Sequence, residues 1–137
     1  MNYLIMNYLN MLHLYTPVVG RLLISSIFLM AGISKITGYA GTQGYMVSVG
    51  VPGELLPVVI AVEILGALAI IIGYHTRLAA FLLAGFTVVS ALLFHNDFAD
   101  QTQSIMFMKN LAIAGGFLLL VANGPGTVSV DEGMPKS

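Results

Sequence analysis

Four long apolar stretches constrain the fold of this chain more than any other feature of its sequence. A helix rises 1.5 Å per residue, so about 20 apolar residues suffice to cross a hydrocarbon core of about 30 Å. We therefore predict an all-α integral membrane protein whose transmembrane helices form a four-helix bundle. The predicted spans cover about residues 17–36, 54–74, 77–94 and 105–123.

The composition agrees with a membrane solvent and limits where chemistry can occur. Hydrophobic residues make up 58% of the chain and charged residues 8%, against about 25% charged residues in soluble domains. Four crossings in 137 residues leave no room for a soluble catalytic domain, so any chemistry belongs to the bundle or to a partner protein. The lipid bilayer is the first predicted partner, and a net charge of −1 does not point to nucleic acid.

Residues 1–16 are too short and too interrupted to span the membrane. Asn2, Asn7, Asn10 and His13 fall within one sector of a helix, and most apolar residues fall on the rest. This pattern predicts an interfacial helix lying on the membrane, with a flexible segment as the alternative.

Two connecting regions complete the predicted organisation around the transmembrane domain of residues 17–123. The glycine-rich stretch 37–53 predicts an ordered loop or a short helix before the second span. The sequence Asn-Gly-Pro-Gly from Asn123 is expected to stop the last helix. Residues 124–137 are then predicted to form a polar, mobile tail.

An even number of spans places both termini on one side of the membrane. That side carries Arg21, Arg77 and Lys136, and the other carries Lys35 and Lys109. Basic residues are more frequent on the cytoplasmic side, so we predict cytoplasmic termini.

Glu63 lies near the middle of the apolar run from Leu55 to Tyr74. A charge at the centre of a membrane helix costs about 2.5–3.5 kcal/mol on insertion scales, so it usually pairs, takes up a proton or faces water. We therefore predict Glu63 as a proton-exchanging catalytic residue. The expected partners are Lys109, Arg21 or both through water, while Lys35 is expected to reach the membrane surface.

A basic residue beside a buried acid can form a polar pocket for an anionic or carbonyl-bearing ligand, and a quinone head group fits that description. The alternative is that the charges only fix the packing of the helices. The chain has no cysteine, which excludes thiolate metal sites, and no metal site is predicted.

The two histidines near the third span are not expected to bind haem together. His75 precedes that span and His95 follows it, so they belong to opposite faces of the membrane. His95 with Asn96, Asp97 and Asp100 leaves open a proton port or a weak metal site, against the simpler interpretation of a solvated loop.

Three segments together resemble the DoxX family of small four-span bacterial membrane proteins, over about residues 21–131. They are RLLISSIFLMAGISK from Arg21, AVEILGALAIIIGYHTR around Glu63, and KNLAIAGGFLLLVANGPG from Lys109. The resemblance implies a bacterial inner-membrane protein linked to quinone and thiosulfate oxidation, often beside a separate catalytic partner. It also implies a set of polar, ligand-binding positions: Arg21, Lys35, Glu63, Lys109 and Asn110.

Two functions from different classes follow. The first is a redox-associated membrane subunit that binds quinone or a similar small molecule, at most one part of an oxidoreductase. The second is a noncatalytic module, permease-like or a scaffold, whose buried charges fix helix packing. Assembly into a homo-oligomer is left open by the sequence.

Overall fold

The computed structural model describes residues 2–133, and these residues form helices with no strand among them. Four helices are long and apolar enough to cross a membrane, which confirms the predicted all-α bundle. The helices are α1 (Tyr3–Thr37), α2 (Tyr39–Ser48), α3 (Leu56–Ile72) preceded by a 3-10 turn (Gly53–Leu55), α4 (Thr76–Phe94), α5 (Gln101–Asn123) and α6 (Val130–Gly133).

The bundle has two ends that the rest of the description uses. At the terminal face α1 enters the bundle, α3 ends, α4 begins and α5 ends. At the loop face α1 and α4 end, α3 and α5 begin, and α2 connects α1 to α3. Helix α1 packs mainly against α3, and α4 packs mainly against α5.

Helix α1 is longer than the predicted first span. It starts at Asn2, whose Oδ1 accepts a hydrogen bond from Leu4 N at 3.1 Å, and it continues through Pro17 to Thr37. At 1.5 Å per residue its 35 residues extend about 52 Å. Pro17 lies inside this helix and does not end it. The expected surface segment is therefore continuous with the first span. Its placement on the membrane surface stays a prediction.

The buried residues of α1 recur every three or four positions and so form one stripe along the helix. Its buried residues are Arg21, Ser25, Phe28 and Gly32. The Phe28 ring packs on Phe117 of α5 with centroids 5.4 Å apart, which ties the α1–α3 pair to the α4–α5 pair. The other members of this core are Ala67, Ile70, Ala80, Leu83, Ala84 and Ala114.

The glycine-rich connection contains the predicted short helix, α2. Met46 is buried, and the Tyr45 ring stacks on Phe94 of α4 with centroids 5.7 Å apart. Gln43 Nε2 donates to Gly53 O at 3.1 Å, which ties α2 to the start of the second span. Helix α2 therefore covers the loop face of the bundle.

The polar segment after α5 was expected to be mobile, but residues 128–131 are fastened to the terminal face. Arg21 Nη2 donates to Val128 O at 2.6 Å. The Asp131 carboxylate accepts hydrogen bonds from His75 N at 2.6 Å and Thr76 N at 2.8 Å. Backbone donors at a helix start need acceptors, so the segment satisfies groups that the tight α3–α4 turn leaves unpaired. Lys136 lies outside the described residues.

Candidate functional site: a buried ion pair between two cavities

Glu63 pairs with Lys35, not with the expected partners. Lys35 Nζ lies 2.8 Å from Glu63 Oε1, and the two side chains are 29% and 5% exposed. The close approach of α1 and α3 explains the pairing. A Cβ atom at Gly32 would lie 2.5 Å from Ile64 Cγ1 and 3.4 Å from Glu63 Cβ. Lys35 follows Gly32 by three residues on the same face of α1, so its side chain reaches the carboxylate.

The prediction that Lys109 or Arg21 pairs with Glu63 is wrong, as is the prediction that Lys35 only reaches the surface. Lys109 is exposed, because α5 turns the neighbouring Asn110 and the buried Ala114 and Phe117 inward. Counting residues gives depth in the membrane but not helix rotation, and one residue changes the direction of a side chain by about 100°.

Arg21 is buried, yet it lies at the terminal face with Val128 O as an acceptor. Fourteen positions separate Arg21 from Lys35 in α1, which is about 21 Å along the helix axis. The structure therefore brings Lys35, Glu63 and Asn110 together and leaves Arg21 and Lys109 elsewhere.

Two cavities flank the ion pair, with volumes of about 210 Å³ and about 230 Å³. Five side chains line both of them: Lys35, Glu63, Phe86, Ser90 and His95. The first cavity is closed by α2, with Thr42, Tyr45 and Met46 in its wall. The second lies between α1, α4 and α5 and includes Phe28, Met106 and Asn110. The ion pair thus lies in the wall that two small cavities share, and the rest of their lining is mostly apolar.

Asn110 is held by α4. Its Nδ2 donates to Thr87 O at 3.3 Å, while Thr87 Oγ1 donates to Leu83 O at 2.6 Å. Thr87 therefore bonds back to its own helix. The bond from Asn110 to Thr87 O joins α5 to α4 and orients the Asn110 amide beside the second cavity.

His95 and Ser90 also line the two cavities. The sequence left His95 open as a proton port on the loop and did not place either residue beside Glu63. His95 directly follows α4, and its Nδ1 lies 3.0 Å from Gln103 Oε1 of α5. The signal was spacing: Phe86, Ser90 and Phe94 recur every four residues and form one stripe of α4 toward the cavities.

The aspartates near His95 have local structural roles. Asp97 Oδ1 accepts from Ala99 N at 3.3 Å, and Asp100 Oδ1 accepts from Thr102 N at 2.9 Å at the start of α5. Within residues 2–133, no group of three or more His, Cys, Asp or Glu side chains could hold a metal ion. The alternative of a weak metal site on this loop therefore has no donor set in the part of the chain that is described.

His75 and His95 lie at opposite ends of the 19-residue α4, as predicted. About 28 Å of helix separates them, which is too far for both to ligate one haem iron.

A cavity of about 470 Å³ lies between α3 and α4, away from the ion pair. Apolar side chains make up most of its wall, including Leu65, Leu82 and Phe86, and no lysine, arginine or carboxylate lines it. Its volume lies within the range of ligand sites, but its wall offers no ion pair that could fix a polar ligand. We therefore assign the candidate site to the two smaller cavities, which Lys35 and Glu63 line.

The fold and the site define a small four-span membrane protein of helical bundle architecture with an acid and a base paired inside it. The DoxX family model matches residues 16–96, and the chain belongs to the DoxX family.

Curated relatives agree with this assignment. Inner membrane protein YqjF of Escherichia coli (strain K12) is 54% identical over 118 residues, covering 86% of this chain and 91% of the relative. Inner membrane protein YphA of the same organism is 38% identical over 122 residues, covering 83% and 86%. "Putative oxidoreductase CatD" of Bacillus subtilis (strain 168) is 32% identical over 73 residues, covering 53% and 54%.

No solved structure matches the chain significantly. The inner-membrane relatives and the four apolar helices support a multi-pass protein of the bacterial inner membrane.

Proposed function

We propose that this protein is a redox-associated membrane subunit that binds a quinone or a similar carbonyl-bearing small molecule between Lys35, Glu63 and Asn110. One observation carries the proposal: an acid–base pair within the membrane stands between two cavities that share the same polar lining. Ionisable groups inside a membrane are costly and mark functional sites by default. The name of the CatD relative adds the redox association.

The cavity volumes favour a ligand that engages the ion pair. Sites for drug-sized ligands measure about 300–1,000 Å³, and each cavity alone is smaller, at about 210 Å³ and about 230 Å³. Lys35 lines both cavities and is the more exposed partner of the pair, so rotation of its flexible side chain would enlarge the space available to a ligand. A planar ring could then lie beside Phe86, which lines both cavities.

The residue types suit a quinone. The Lys35 ammonium and the Asn110 amide are hydrogen-bond donors for carbonyl oxygens, and Glu63 can take or give a proton. Reduction of a quinone to a quinol takes two electrons and two protons. The chain has no cysteine, so we assign the electron transfer to a separate redox partner protein. Arg21 and Lys109 have no part in this proposal because they lie away from the ion pair.

Retention of the natural ligand tests the proposal. The protein is purified in mild detergent, and solvent-extracted molecules are identified by mass spectrometry for wild type and for Glu63→Gln. The matched control is Glu54→Gln, which changes an exposed carboxylate in the turn before α3. We expect a quinone in wild type and in the control, and its loss in Glu63→Gln. Equal retention in all three proteins would place any ligand away from Glu63 and contradict the proposal.

One observation favours the second candidate function, a noncatalytic module. The ion pair lies beside Gly32, where α1 and α3 are in close contact, so it also suits a role in fixing helix packing. That function predicts no retained ligand in wild type and a lower melting temperature for Glu63→Gln.

A further inference from the structure

We propose that His95 exchanges protons between the ligand at the Lys35–Glu63 pair and water at the loop face. This role rests on the proposed function, because it needs a ligand between the two cavities. It assigns to His95 a direct contact with that ligand through Nε2.

The hydrogen bond to Gln103 orients the imidazole. His95 Nδ1 lies 3.0 Å from Gln103 Oε1, and an amide oxygen only accepts, so Nδ1 carries a proton. In the neutral ring Nε2 is then the acceptor. His95 lines both cavities, and we assign Nε2, the nitrogen that is not bonded to Gln103, to the contact with the ligand. Nδ1 is thus held by the hydrogen bond to Gln103, and Nε2 is the nitrogen that exchanges protons.

The position of His95 suits transfer between a buried site and solvent. It is the first residue after α4, at the loop face, and it is partly exposed. Glu63 lies seven residues into α3 from that face, which is about 10 Å along the helix. One imidazole therefore borders both the buried pair and the membrane surface.

His95 contributes an imidazole to this wall, and an imidazole can both accept and give a proton. The other charged or titratable groups facing the cavities are Lys35 from α1, Tyr45 from α2 and Glu63 from α3, and α5 contributes the uncharged Gln103 and Asn110. Among unperturbed side chains, only histidine changes charge between pH 5 and 8.

In this step His95 transfers a proton and no electron. Protonated His95 gives its Nε2 proton to a ligand oxygen and becomes neutral. Nδ1 keeps its own proton, which it donates in the hydrogen bond to Gln103 Oε1. Nε2 then regains a proton from water. The electrons that reduce the ligand come from the redox partner of the proposed function.

The first test measures binding of decylubiquinone, a short-chain quinone, to purified full-length protein between pH 5 and 8. We expect wild-type affinity to rise about tenfold from pH 8 to pH 5, because a protonated imidazole donates a charge-assisted hydrogen bond. His95→Gln should bind with a nearly flat profile. His75→Gln, at the opposite end of α4, should keep the wild-type profile.

A second measurement covers the case in which His95→Gln fails to fold. Wild type is labelled with diethyl pyrocarbonate, which modifies neutral imidazole, with and without decylubiquinone, and each histidine is quantified by mass spectrometry. Protection of His95 but not His75 supports the role.

Two outcomes overturn the role and leave the proposed function standing: quinone binding that depends on Glu63 with equal pH profiles in wild type and His95→Gln, or equal labelling of His95 with and without the quinone. Absence of quinone binding to wild type overturns the proposed function and this role together.

Discussion

Lys35 Nζ of α1 lies 2.8 Å from Glu63 Oε1 of α3, and this contact joins the two helices beside the cavities. The pair is unequal, since Glu63 is almost fully buried while Lys35 is partly exposed. Removal of the lysine would leave a buried carboxylate without a cation, whereas removal of both charges leaves none.

The first prediction concerns this asymmetry. Lys35→Met should destabilise the bundle by about 2 kcal/mol, less than for a fully buried pair because the lysine is partly exposed. The double variant Lys35→Met/Glu63→Gln should recover most of that loss. Thermal unfolding in detergent followed by circular dichroism measures both. Lys109→Met is the control and should match wild type, since Lys109 is exposed. Additive losses in the double variant would show that the two charges do not stabilise each other.

The second prediction concerns the α1–α3 contact. Gly32→Ala should lower stability by about 1–3 kcal/mol, because the new methyl would lie 2.5 Å from Ile64 Cγ1 and either the Ile64 side chain or the helices must shift. Gly20→Ala in the same helix has no atom within 4 Å of the new methyl and should be neutral or slightly stabilising. The same unfolding measurement compares them, and equal effects would argue against tight packing at Gly32.

The third prediction concerns Asp131 at the start of α4. Burial raises the pKa of its carboxyl, but hydrogen bonds from Thr76 and His75 outweigh burial, so the pKa lies below the ordinary value of 3.8. A lowered folded-state pKa means that the stabilisation is fully present above pH 3.8 and is lost as the pH falls through the folded-state pKa.

Unfolding measured against pH checks this. Asp131→Asn should cost about 0.5–2 kcal/mol at neutral pH, as for loss of a helix cap. The difference from wild type should shrink in acid below the ordinary pKa. Asp97→Asn, a loop substitution at the opposite face, controls for general acid effects. A difference that stays constant down to the lowest pH would mean that the charge of Asp131 contributes nothing.

The fourth prediction concerns membrane orientation. The chain has no cysteine, so single cysteines introduced at Asn2 and at Asn96 report accessibility without background. These exposed residues belong to opposite faces of the bundle. In intact cells a membrane-impermeant maleimide should label Asn96→Cys and spare Asn2→Cys, as the basic residues near the termini predict. The reverse pattern would place the termini outside the cytoplasm.

Much of the fold follows from the linear pattern of residues. Apolar runs of about 20 residues determine four spans, because lipid excludes chains that leave charge or backbone polar groups unsatisfied. The 3.6-residue period likewise determines the inward stripe of Arg21, Ser25, Phe28 and Gly32, since it depends only on one helix. Glu63 stands out for the same reason, as a charge within an apolar run.

The tertiary structure decided which groups meet. Lys35, Lys109 and Arg21 are all basic residues at helix positions that a residue count allows, but the partner of Glu63 depends on how α1 and α5 are rotated about their axes. Packing sets that rotation, through the close approach at Gly32 and the inward turn of Phe117. The same holds for Asp131, whose partners His75 and Thr76 lie 56 and 55 positions away, because local residue patterns do not encode contacts at that separation.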